Sequence, residues 1–492
     1  MARTSRTGVA VATLLVLAAL TPSSATAATW IVGLAESASA ADLDAGRVLA
    51  VHGDLDIAVV AANPLAVERL EHDPDAVFVV ADRPLTPTAA SDPDALPRHS
   101  GGDKLGMRSA WRAGLTGAGT TVALIDTGVS EHPDLAGRVI HGQNFAGDGT
   151  SDDTYGHGTV MAGLIAGDGA ASGGRWMGAA PEATILSVKV AGADGATDVS
   201  QVLAALQWTV SHRDAYGVDV LLLAYATDSQ QSATIDPLAY AVQRVHEAGI
   251  VPIATAGNDG ADRVTNPGAA PAALTIGAFD HETGGAAAFS SGGTTVDGLV
   301  KPELLATGTH VVAPVDANST VAGDNPQALQ GADYIRGSGT SHAAALVAGA
   351  TAVLVQAHPG DDIDTIRGRV VSGARYTNPN GQGNGAGWFR WNKVEHGLIA
   401  PFAPAFEADG SGSLQAARGS RVVYVDGEAV EGEVDVFGNA WDPEGWTSSS
   451  WNSSSWNSSS WNSSSWNSSS WNSSSWSWSS WASSTWNTAA WQ

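Results

Sequence analysis

Asp126, His157 and Ser341 occur in that order along the chain, each among small residues: Ile125-Asp126-Thr127-Gly128, Tyr155-Gly156-His157-Gly158-Thr159 and Gly337-Ser338-Gly339-Thr340-Ser341. These residue types suit nucleophilic acyl transfer: a hydroxyl attacks a carbonyl, an imidazole takes and returns the proton, and a carboxylate orients the imidazole. Asp126 ends the apolar run Thr121-Val-Ala-Leu-Ile125, and open α/β sheets hold their ligands at the carboxyl ends of strands. His157 opens an apolar stretch at 160–166 that reads as helix. Ser341 precedes residues 342–356, apolar on nearly every side and therefore expected to be a buried helix. Backbone N–H groups and the helix dipole at such an N-terminus favour a developing oxyanion. Taken singly, an Asp after a strand is usually a turn residue and a Ser at a helix start usually a cap. It is their joint order and context that point to chemistry. His342 is a rival base by adjacency alone, and as the next helical residue it should point elsewhere.

The elements around these residues form a consistent pattern. Residues 121–125, 183–188, 218–223 and 250–254 read as buried parallel strands, and 201–212 and 237–248 as crossover helices. Strands apolar on both faces, alternating with helices, predict an α/β fold with a doubly wound, mostly parallel sheet and helices on both faces. Upstream, residues 30–34, 57–60 and 76–80 read as short strands and 64–71 as a helix, a small α+β unit. A segment rich in Pro, Ala, Ser and Asp follows, from Arg83 to about Gly102, and suits a protease-accessible linker. Residues 421–425 read as one arm of a hairpin turning at Asp426-Gly427.

Composition narrows the class. The 492 residues are 43% apolar, which is enough for a sizeable core, and carry a formal charge of -26. Such acidity argues against nucleic acid and anionic membrane surfaces. With no cysteine, disulfides and thiol chemistry are excluded. Arg3 and Arg6, the apolar run 8–20, the Thr21-Pro22 break and Ala25-Thr26-Ala27 read as a cleaved export signal. The run falls short of the ~20 residues of a membrane-spanning helix.

Six segments together resemble the subtilases, the subtilisin-like serine peptidases: Val122-Ala-Leu-Ile-Asp-Thr-Gly-Val129, His132-Pro-Asp-Leu135, Gly156-His-Gly-Thr159, Gly178-Ala-Ala-Pro181, Ala256-Gly-Asn258 and Gly339-Thr-Ser-His-Ala343. The resemblance covers residues 105–375. It implies catalytic roles for Asp126, His157 and Ser341, with Asn258 donating to the oxyanion hole beside the Ser341 N–H. Residues 30–82 resemble the family's inhibitory propeptide, most closely in Val67-Glu-Arg-Leu70 and Asp73-Pro-Asp-Ala-Val-Phe-Val-Val-Ala-Asp82. The expected division is a signal peptide at 1–27, propeptide and linker at 28–100, a peptidase domain at 101–400, a short β-rich extension at 401–440 and a repeat tail at 441–492. The implied product is a secreted serine endopeptidase made as a self-inhibited zymogen, with a polypeptide substrate and its own propeptide as intramolecular inhibitor.

The chain also departs from the family pattern. In the family the substrate backbone joins the enzyme as an added strand. The expected substrate-binding wall reads Ala224-Tyr225-Ala226 where Ser-Leu-Gly is usual. The facing segment, 192–197, keeps Gly195 but has Thr197 where a glycine is common. A narrowed or reshaped cleft is expected. His342 and Ala345 replace the usual Met and Pro after the nucleophile. Asp134 matches a position that contributes to calcium sites in relatives. The loop 167–174 lacks the cluster of oxygen side chains that hard cations need, so structural calcium stays open as an unassigned alternative and no metal site or other cofactor is assigned.

From Trp441 to Trp491 a tryptophan recurs every five residues, with Ser and Asn spacers between most of them. That period suits no regular helix or strand. Trp is a rich contact residue, which makes a cell-surface or polysaccharide-binding module the rival to a passive tail. The alternative function is accordingly a weakly active or inactive peptidase-fold protein that binds through this tail.

Overall fold

In the computed structural model, the described residues are 28–81 and 101–448, apart from 36–37, 39–40, 42, 44–46, 53–56, 71, 261–262, 376–384, 396–398, 400, 421–422 and 426–427. The export signal, the linker at 82–100 and the tail from residue 449 lie outside them. The chain divides into two compact units, Met1–Leu96 and Pro97–Gln492.

The first unit is an antiparallel sheet of β1 (Ala28–Leu34), β2 (Arg47–His52), β3 (Ile57–Ala62) and β4 (Ala76–Ala81), in the order β2-β3-β1-β4, with one helix, Pro64–Leu70. Val32, Val60, Val67 and Leu70 are buried in its core. The strand β2 was not foreseen, because its Val48, Leu49 and Val51 are exposed and no apolar face alternates along it.

The second unit is built on a mostly parallel sheet. Seven strands form its central run in the order Leu304–Thr307, β10 (Leu274–Asp280), β9 (Val251–Thr255), β8 (Val218–Leu223), β5 (Thr121–Asp126), β7 (Thr184–Lys189) and β6 (Val139–Asn144). Parallel pairing joins each strand to the next. Side-chain alternation divides the core in two. Val122 and Leu124 of β5, with Val220 and Leu222 of β8, join the cluster under the helices His157–Ala166 and Thr340–Ala357. Ala123, Ile125, Leu221 and Leu223 face the opposite cluster, under Val199–Ser211 and Pro237–Glu247. This is the expected doubly wound α/β sheet with helices on both faces.

Beyond the sheet, the hairpin of the extension pairs Val423–Val425 with Glu428–Val430, and its turn lies outside the described residues. The extension does not stand apart from the peptidase core. Leu414, Ala417, Trp441 and Trp446 are buried in the cluster beneath Val199–Ser211, so the tryptophan period begins inside packed structure.

Candidate active site

Asp126 ends β5, and four neighbouring segments follow strand ends on the same side: 192–197 after β7, 224–226 after β8, 256–258 after β9, and the residues after Asp126 itself. This is where an open parallel sheet leaves a crevice. Asp126 and His157 are each 1% exposed. The Nδ1 of His157 lies 2.7 Å from Oδ1 and 2.9 Å from Oδ2 of Asp126. Oδ1 also accepts the Thr127 backbone N–H at 2.8 Å. A carboxylate held on both sides fixes the ring orientation and puts the Nδ1 proton toward Asp126.

His157 is the first residue of its helix. A Cβ on Gly158 would collide with the Gly128 carbonyl oxygen, so the glycine after the histidine lets the helix start reach the Asp126 loop. The Gly158 N–H donates to the Thr127 hydroxyl at 2.9 Å.

Sequence reasoning missed the acid that binds these two loops together. Asp153 is buried and accepts the Thr127 hydroxyl at 2.7 Å and the Gly156 N–H at 2.6 Å on one oxygen. Its other oxygen accepts the Thr159 N–H and hydroxyl, both at 2.7 Å. Burial raises its pKa above the ordinary carboxylate value, and these hydrogen bonds oppose the rise. The available signal was an acid four residues before the histidine in Asp153-Thr-Tyr-Gly-His157.

Ser341 is the second residue of Thr340–Ala357, is buried, and donates its hydroxyl to the Ala224 carbonyl at 3.4 Å. Asn258 is oriented by Thr340, another residue missed from sequence. The amide oxygen of Asn258 accepts the Thr340 N–H and the Thr340 hydroxyl, both at 2.9 Å. This leaves the NH2 group on the other side. A methyl placed on Gly339 would lie 3.8 Å from the Ser341 N and 3.9 Å from the Asn258 Nδ2, with the His342 Nδ1 nearer still at 3.3 Å. The two donors thus border one small space, which the absent Gly339 side chain keeps open. An Asn meets both demands, as acceptor toward Thr340 and donor toward the space.

His342 is fully buried, and burial together with the nearby His157 lowers its pKa to about 3. At that value it is a poor general base near neutral pH.

Among the expected substrate-binding residues, Ala224 and Tyr225 are buried, and Ala226 is partly exposed. Tyr225 packs in the core cluster with Val199, Val202 and Leu238. Gly195 adopts φ +71°, and a Cβ there would lie 2.7 Å from three atoms of the Tyr155 ring. Its backbone therefore rests on the ring of a residue two before His157. Beside it, burial lifts Asp194 to about 6, opposed by the Ala196 N–H.

Asp134 is already matched by protein donors. Its carboxylate accepts the Ala171 N–H and the Tyr334 hydroxyl, each at 2.8 Å. Close by, the Arg138 guanidinium donates to the Asp134 carbonyl, to the Ala166 carbonyl at 3.1 Å and to Asp168 at 3.1 Å. A positive charge of the protein's own gathers these oxygens, and the donor set does not fit a divalent cation at Asp134.

Residues 117–388 match the model of the peptidase S8, subtilase family. The chain is 34% identical over 289 residues to the serine protease AprX of Bacillus subtilis, covering 55% of this chain and 65% of that protein. It is 33% identical over 302 residues to an alkaline protease of Alkalihalobacillus alcalophilus, covering 61% and 69%. It is 31% identical over 316 residues to the minor extracellular protease Epr of Bacillus subtilis, covering 61% and 43%. With the matched segment spanning the whole crevice, the chain belongs to the subtilase family of serine endopeptidases.

Proposed function

We propose that this chain hydrolyses peptide bonds in polypeptide substrates through an acyl-enzyme on Ser341. His157 takes the hydroxyl proton as Ser341 attacks the carbonyl, then delivers it to the leaving amine. Asp126 holds the imidazole in the tautomer that presents Nε2 and stabilises the imidazolium. The Ser341 N–H and the Asn258 NH2 receive the oxyanion. Water, deprotonated by the same His157, releases the acyl group. The observation that carries this reading is the buried Asp126–His157 contact at 2.7 and 2.9 Å, in a unit where Asn258 is turned by Thr340 toward the Ser341 amide.

The finer reading is a secreted zymogen. Its support is the export signal in sequence, the α+β fold of the first unit, and the similarity to the minor extracellular protease Epr. The propeptide assists folding and blocks the cleft until it is cut between Leu85 and Ser100. The binding role of the tail rests on residues outside those described. A fluorophosphonate probe tests the enzyme: it labels the mature wild type and not Ser341→Ala. No labelling of the wild type after removal of the propeptide sinks the proposal.

A further inference from the structure

The family match ends at residue 388, yet a side chain from beyond it reaches the border of the crevice. Arg418 closes the short helix Leu414–Arg418. Both it and Asp198 are buried, 220 residues apart in sequence. The Arg418 Nε donates to Asp198 Oδ2 at 2.8 Å, and Nη2 approaches Oδ1 at 3.3 Å. The three remaining guanidinium hydrogens are directed to the extension itself, at the Gly432 carbonyl (3.0 Å), the Val434 carbonyl (2.6 Å) and, more distantly, the Gln415 side-chain carbonyl (3.5 Å). The planar fork of an arginine suits such a two-sided clasp, and a lysine does not reproduce it.

Asp198 has a second task. It caps the helix Val199–Ser211, accepting the Ser200 N–H at 2.9 Å, while Gln201 returns a bond to the Asp198 N–H at 2.9 Å. That capped end anchors residues 192–197, the edge whose Gly195 lies on Tyr155. The carboxylate clasped by the extension is therefore also the one that fixes where the edge segment enters its helix. Around this point the extension packs tightly: Val436 N–H reaches the Ser200 hydroxyl at 3.3 Å, and Leu414 and Ala417 are fully buried.

We infer that Arg418 is a positioning residue for the cleft: the C-terminal extension, through the Arg418–Asp198 clasp, holds residues 192–197 in place to receive extended peptide substrates. The inference rests on the peptidase reading and deepens it. Arg418 touches no reacting atom. Its effect falls on substrates long enough to lie along that edge.

The test uses the secreted protein with its propeptide removed and everything C-terminal to it intact, with active sites counted by fluorophosphonate labelling. Two peptide substrates share the same scissile bond but carry one or four residues on its acyl side. For Arg418→Met, the KM of the longer peptide rises by up to about a hundredfold, the scale of a misplacement of about 1 Å. The constants per labelled site for the shorter peptide keep their wild-type values. Because Arg418→Met leaves a buried carboxylate uncompensated, its yield of labelled protein also falls. Asp198→Asn combined with Arg418→Met restores that yield, since Asn still caps the helix, but retains the raised KM on the longer peptide. A double variant that recovers both, or single variants that change long and short peptides alike per labelled site, overturns the inference. Failure of the wild type to label overturns the peptidase reading beneath it instead.

Discussion

The Thr127 hydroxyl donates to the buried carboxylate of Asp153 at 2.7 Å, tying the residue after Asp126 to the loop that carries His157. The acid and the histidine of the proposed triad are thus held by a third group that touches neither reacting atom. Asp153→Ala leaves several buried donors unmet, each costing about 1–3 kcal/mol. The expected outcome is a lower unfolding midpoint together with a lower kcat. Asp153→Asn, which keeps one acceptor oxygen, falls between the two. Calorimetry in a Ser341→Ala background and kinetics in the active form check this; an alanine variant with wild-type stability contradicts it.

Substitutions within the site separate its roles. Asp126→Asn is expected to lower kcat by about 10⁴ near neutral pH, because an amide donor toward Nδ1 favours the wrong tautomer. Asn258→Ala is expected to lower kcat by about 10²–10³ with little change in KM, a magnitude that comes from subtilisin itself. Steady-state kinetics on one peptide distinguishes them. An Asn258→Ala loss seen mainly in KM argues that this residue binds substrate and does not stabilise charge.

His342 sets an acid limit. Burial lowers its pKa from 6.5 to about 3, so between these values the unfolded chain binds more protons than the folded one. Its contribution to stability is complete above about pH 6.5 and is lost as pH falls toward 3. His342→Met removes the titrating group and flattens this part of the profile. Unfolding midpoints measured from about pH 4 to pH 7 in the Ser341→Ala background read the slope directly. Parallel wild-type and variant curves refute the assignment.

Arg138 predicts indifference to chelators. With its guanidinium drawing together the Asp134 and Ala166 carbonyls and the Asp168 carboxylate, excess EDTA should leave the unfolding midpoint in place. Arg138→Met should lower it, since carbonyls left without donors inside the fold destabilise it by about 1–3 kcal/mol each. A large chelator-induced fall in the wild type is the contrary result.

The readable parts of this chain are those where chemistry and local structure coincide. Asp126 at the end of an apolar strand, and Ser341 at the start of an apolar helix, declare their positions because the flanking elements are buried on nearly all sides. Asp153 does not, since Ser151-Asp-Asp-Thr154 looks like an ordinary solvated turn. Only the convergence of Thr127, Gly156 and Thr159 upon it reveals its role. Thr340 reads as a helix-start residue until Asn258 is seen to lean on it. Arg418 lies in a stretch rich in Gly, Ser and Ala, and its partner is 220 residues away, a separation at which no periodicity can signal contact. β2 is hidden for the opposite reason, because its apolar side chains face outward.

The burial of Trp441 and Trp446 changes where this enzyme ends. Trp446 is 1% exposed, its ring 5.3 Å from that of Trp441 and 5.1 Å from that of Tyr240, and Trp441 donates its indole N–H to the Gly412 carbonyl at 3.0 Å. Removing one such side chain costs about 3–5 kcal/mol. Any maturation cut or designed truncation at 440 therefore amputates the core, whereas one made after 448 keeps both of these side chains. The first two beats of the repeat therefore belong to the core of the catalytic unit, beneath the helices Val199–Ser211 and Pro237–Glu247.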